Sequence, residues 1–138
     1  MKAVAILLAG LLCGAVLQPT ASRAEDAHAP APAGPVFVAV APLVVPVFHA
    51  GDVRLHLVYV VQLEAGNAEA GARIREMMPR LRDAYLRALA GIADRMGEGA
   101  PPDLERVKRS LSAASERVLG PHVVNEVLIE RSFTRRAS

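Results

Sequence analysis

The sequence predicts a small α+β domain of order β-β-α-α-β. Three observations carry that expectation. Residues Val53 to Glu64 alternate apolar and polar side chains with a period of two, residues Glu69 to Ile92 carry an apolar stripe with helical spacing, and residues Asp103 to Leu119 repeat that helical pattern before a Gly-Pro stop. Period-two and period-3.6 segments separated by short turns describe a small antiparallel or mixed sheet with helices on one face.

The chain has 138 residues, which allows one domain and an additional N-terminal segment. Met1-Lys2 and the apolar run Ala3 to Leu17, followed by small residues at Ser22 and Ala24, read as a secretory signal peptide over 1–24 that is cut after Ala24. The alternative is an N-terminal membrane anchor, but about 15 apolar residues fall short of the ~20 that a spanning helix needs. The full chain holds 16 Lys+Arg against 14 Asp+Glu. Removal of Lys2 and Arg23 leaves 14 against 14, so the basic balance gives no support to nucleic-acid or anionic-membrane binding. Cys13 leaves with the same segment, which excludes thiol chemistry and disulfides from the mature chain.

Residues 25–35 (EDAHAPAPAGP) form an Ala/Pro-rich spacer. The folded domain is expected over 36–134. Val36 to Phe48 is β-prone but contains Pro42 and Pro46, which lack the N–H a ladder needs, so it reads as an edge strand or as two short pieces. His49-Ala50-Gly51-Asp52 supplies a turn, and Val53 to Glu64 returns as the second strand of an antiparallel hairpin.

Ala65-Gly66-Asn67 ends that strand, with Asn67 as a helix N-cap. In the helix that follows, Glu69, Glu76 and Asp83 each precede an arginine (Arg73, Arg80, Arg87) by four residues, the favourable orientation for surface ion pairs. Pro79 removes one backbone donor and crowds the preceding turn. Because the charge pattern keeps its phase across Pro79, one kinked continuous helix is expected rather than two helices. Gly97 to Pro102 is a loop, Asp103 to Leu119 the second helix with a Glu105–Arg109 pair, and Gly120-Pro121 its stop. His122 to Thr134 reads as the closing strand, and 135–138 as a frayed tail.

No constellation for catalysis stands out. His49, Asp52 and His56 are the one cluster with metal-ligand chemistry, and His49 and His56 approach if the hairpin places them across the turn; three ligands still fall short of a closed structural site. Ser110, Ser112 and Ser115 lack a nucleophile elbow, and no phosphate loop or H-E-x-x-H is present. No metal, cofactor or small-molecule substrate is expected, and the chain reads as a non-enzyme. Arg73, Arg80 and Arg87, together with Arg54 on the second strand, form the candidate interaction surface, with solvation as its default role.

Arg54-Leu55-His56-Leu57-Val58-Tyr59-Val60-Val61-Gln62-Leu63-Glu64 resembles the second strand of the flagellar basal-body-associated FliL family. Met78-Pro79-Arg80-Leu81-Arg82-Asp83-Ala84 is similar to that family's Pro-x-hydrophobic-Arg-Asp-Ala helical turn. Leu104 to Leu119 followed by Val123 to Ile129 resembles its last helix and closing strand, so the similarity runs from about Leu43 to Phe133. The resemblance implies a periplasmic domain with a stomatin-like (SPFH) fold that self-associates around the flagellar stator and supports the motor. It also implies homo-oligomers, with stator or basal-body proteins as partners. Two features depart from the family: its usual transmembrane anchor is replaced by a short segment with a cleavage site, and Pro46 interrupts the first strand. A periplasmic binding module holding a small apolar ligand between sheet and helices is the alternative function.

Overall fold

β2 (Asp52–Ala65) is the axis of the structure, flanked by β1 (Val36–His49) and β3 (Glu126–Arg136) in an antiparallel sheet of order β1-β2-β3. Three helices complete the chain: α1 (Ala68–Glu76), α2 (Met78–Ala93) and α3 (Leu104–Leu119). The computed structural model describes residues 34–96 and 102–137. The expected signal peptide, most of the expected spacer, residues 97–101 of the expected loop and Ser138 lie outside the described residues. The α+β class follows the expectation, with three helices between the hairpin and the closing strand where two were expected, and the helices share one face of the sheet.

Alternation explains why. Leu57, Tyr59, Val61, Leu63 and Ala65 of β2 are buried, as are Val38, Val40, Leu43 and Val45 of β1 and Val127 of β3. Register pairs these residues with one another: Val38 opposite Leu63, Val40 opposite Val61, Leu43 opposite Tyr59, and Val127 opposite Leu63. They therefore lie on a single side, where Ile74, Leu81, Tyr85, Leu89, Val107, Leu111 and Leu119 from the helices close the core. α2 packs over β1 and α3 over β3, and the two helices pack on each other. Gly71 lets α1 approach β1 closely, because a Cβ there would lie 3.0 Å from Val36 Cγ1.

The hairpin turn has φ of 51° at Ala50 and 90° at Gly51, the paired positive values of a type I′ connection. The prolines of β1 are tolerated because β1 is an edge strand. Pro42 sits at a bulge where Ala41 and Pro42 together oppose Val60, between the pairs Val40–Val61 and Leu43–Tyr59. β3 has its own bulge at the same height. Glu130 is the extra residue between Ile129, opposite Val61, and Arg131, opposite Val60. Both edges thus bend beside Val60.

Three expectations need correction. The helix around Pro79 is divided, not kinked: Met77 separates α1 from α2 with φ −88° and ψ 3°. A ψ near zero unwinds one residue and relieves the clash between the Pro79 ring and the turn before it. Pro79 then occupies the first turn of α2, where a missing N–H costs little. The closing strand begins at Glu126 instead of His122, because Gly120 and His122 have φ of 91° and 63° and turn the chain from α3 toward the sheet. Asn125 N–H then donates to Glu64 O at 2.7 Å and opens the ladder. The supposed tail is ladder as well: Arg135 pairs with His56, Arg136 with Leu55, and Ala137 N–H donates to Arg54 O at 3.2 Å. Asn67 caps α1 as expected, its Oδ1 accepting from Ala70 N–H at 2.8 Å, and Asp103, expected inside the second helix, is its N-cap, with Oδ1 accepting from Glu105 N–H at 3.1 Å.

Candidate functional site

The four candidate arginines do not share one surface. Arg73 lies on α1, and Arg80 and Arg87 on α2, all exposed on the helical layer. Arg54 is exposed on β2, where alternation against buried Leu57 and Tyr59 puts it on the face away from the helices. The ion-pair ladder is mostly unmade. Asp83 and Arg87 are bonded, whereas Glu69–Arg73, Glu76–Arg80 and Glu105–Arg109 form no pair among the described residues. The break at Met77 falls inside the Glu76–Arg80 span and removes the regular helical geometry that pair needs. Glu69 and Arg73 both lie in α1 and are exposed, where water competes with the pair.

The one cluster with metal-ligand chemistry, His49, Asp52 and His56, is also separated by register. His49 opposes Asp52, but His56 opposes Pro46, so the two histidines are not cross-strand partners. Among the described residues no group of three His, Cys, Asp or Glu is placed to hold a metal ion.

Ser115 is a buried serine in the seam between α2 and α3, 2% exposed. Its Oγ donates to Leu111 O at 3.0 Å and lies 2.6 Å from Tyr85 Oη. The serine proton is committed to the carbonyl, so Tyr85 is the donor to Ser115. Burial pushes the Tyr85 hydroxyl up to about 12, partly opposed by the Ser115 bond. Burial raises Tyr59 as well. The Tyr85 and Ser115 hydroxyls hold α2 to α3; they are a structural pair, away from solvent.

Two other features escape sequence reasoning. Arg82 of α2 reaches β1 and donates through Nη2 to Pro42 O at 3.1 Å, while its buried Nε makes no hydrogen bond among the described residues. A proline inside a strand pattern is the signal that marks the bulge, but nothing in the sequence names Arg82 as its partner. The second feature is the sheet face opposite the helices. Val44, Val58 and Phe133 align across the three strands, with Val44 48% and Phe133 52% exposed on either side of Val58, which they cover to 9%. Phe37 on the same side is 51% exposed. Large apolar side chains in one exposed row mark an interaction surface better than scattered ones do. At the margin of the sheet, Leu57, Tyr59, Leu104, Ser132 and Thr134 line a cleft of about 250 Å³.

Lys108 of α3 bonds Glu126 at the start of β3 at 2.6 Å, and that carboxylate raises the lysine's pKa. Among the described residues no helix is long and apolar enough to cross a membrane. A scan against protein-family models returns no match for this chain, and neither does a search of curated proteins.

Proposed function

We propose that this protein is a non-enzymatic, periplasmic FliL-like accessory factor of the bacterial flagellar basal body, supporting stator or motor function through self-association. The observation that carries the reading is an open sheet face with aligned Val44, Val58 and Phe133, backed by a helical layer in which Met78 to Ala84 begins α2. A domain whose polar clusters are structural and whose open sheet face carries exposed Phe37, Val44 and Phe133 acts through contact with other proteins. The arginines Arg73, Arg80 and Arg87 offer the helical layer a second, polar contact surface. The test is deletion of the gene in its native host together with cross-linking of the native protein. Impaired swimming or swarming and cross-linked oligomers are expected; normal motility with a strictly monomeric protein overturns the reading.

The cleft beside Leu57, Tyr59 and Leu104 favours the second reading, a binding module for a small apolar ligand. Its volume of about 250 Å³ lies just under the usual range for small-molecule pockets. Co-purified lipid or another apolar compound found by mass spectrometry, and lost on Leu104→Asp, would establish it.

A further inference from the structure

The face of the sheet turned away from the helices has a pattern that is its own complement under a two-fold rotation. Both bulges lie beside Val60, so Val60 marks the centre of the face on all three strands. Counted outward from that centre, β3 carries Glu130 and Arg131, then Leu128 and Phe133, then Glu126 and Arg135. In each pair the first residue lies on the Glu126 side of the bulge and the second on the Arg136 side. The charges are therefore antisymmetric, with acids on one side, arginines on the other and apolar residues between. β1 carries Ala41 and Pro42, Ala39 and Val44, and Phe37 and Pro46 in the same positions, without charge. On β2, Gln62 mirrors Val58 and Glu64 mirrors His56.

The geometry points to a second copy of this chain as the occupant of this face, packed sheet on sheet about a two-fold axis crossing the strands at Val60. This inference rests on the self-association in the proposed function and assigns its surface. Rotation about that axis reverses strand direction but keeps β3 over β3 and β1 over β1. Each copy's Glu130 then meets Arg131 of the partner subunit, Leu128 meets the partner's Phe133, and Glu126 meets the partner's Arg135. Ala39 meets the partner's Val44, which covers the half-exposed side chains in the middle. An isologous contact of this kind closes at two copies, and the small angle between the sheets is that of aligned sandwiches. Three strands at ~4.8 Å spacing over about nine residues give roughly 430 Å² per copy. Both copies together bury about 900 Å², in the range of weak encounters, so the dimer is concentration-dependent and salt-sensitive.

The experiment is sedimentation equilibrium on the purified protein from about 10 µM to about 1 mM, a range that brackets weak association. Glu130→Arg and Arg131→Glu each place like charges together twice at the axis and should weaken dimerisation about tenfold or more. The double variant Glu130→Arg/Arg131→Glu restores the complement and should return dimerisation to within about threefold of the original. Val44→Lys, on the strand furthest from β3, should abolish the dimer. These side chains are exposed, so the fold survives, as circular dichroism would check. If Val44→Lys dimerises normally while the charge variants still act, the copies pair edge to edge through β3, and the face-to-face arrangement is overturned. An oligomer indifferent to all four variants overturns this surface and leaves self-association standing. A monomer at every concentration overturns both.

Discussion

Tyr85 of α2 donates a hydrogen bond from its hydroxyl to Ser115 Oγ of α3 across 2.6 Å, and the Ser115 hydroxyl donates in turn to Leu111 O at 3.0 Å. Both residues are buried in the seam between the helices. The direction of the chain decides what each truncation leaves behind. Ser115→Ala strands the Tyr85 hydroxyl without an acceptor and should cost about 1–3 kcal/mol. Tyr85→Phe leaves Ser115 bonded to Leu111 and should cost about 1 kcal/mol. In a double-mutant cycle read by urea unfolding, the double variant should lose less than the sum of the two.

The same tyrosine gives a pH dependence. Its folded pKa of about 12 exceeds the ordinary value of 10.0. A group raised on folding stabilises the fold fully below its unfolded pKa and loses that contribution as pH climbs to the folded one. Stability should therefore fall between pH 10 and 12 by about 2–3 kcal/mol on account of Tyr85. Tyr59 is shifted in the same direction, so the diagnostic quantity is the difference from Tyr85→Phe. Parallel pH profiles of the two proteins would contradict the assignment.

The hairpin turn holds an avoidable strain. Ala50 has φ of 51°, a left-handed conformation that its Cβ disfavours by about 1–2 kcal/mol. Ala50→Asn creates the Asn-Gly turn favoured by type I′ hairpins and should stabilise by about 0.5–1 kcal/mol. The change appears as a higher urea midpoint at unaltered slope.

Arg82 ties the second helix to the β1 bulge through Pro42 O. Arg82→Met keeps much of the stem but removes the donor. It should cost about 1 kcal/mol and speed amide exchange in β1 around Leu43 and Val44 more than in β3. Uniform acceleration across the sheet would show that the contact is incidental.

The sequence made much of this architecture legible. Strict alternation from Val53 to Glu64 identified the second strand of the hairpin, since the strand period places every second residue on the core. Asp103 and Gly120-Pro121 bounded α3, because helix ends leave backbone groups that side chains and turns must satisfy. The unbroken charge phase across Pro79 does not keep the helix in one piece. Exposed pairs contribute too little to hold a helix together against the proline ring, and the backbone unwound at Met77. Val123 and Val124 look strand-like in sequence, but positive φ at Gly120 and His122 commits the chain to a turn, so β3 starts later, at Glu126.

What the sequence determined by itself is local: which residues alternate, where helices begin, and where Ala50-Gly51 must turn. Those features depend on neighbours a few positions apart. Only the tertiary structure decided that β2 is central, that bulges on two strands meet at Val60, and that Arg54 faces away from Arg73, Arg80 and Arg87. It also decided that Tyr85 finds Ser115 across 30 residues of chain. Such contacts depend on which elements share a core, and burial of the helical stripes against one sheet face chose them.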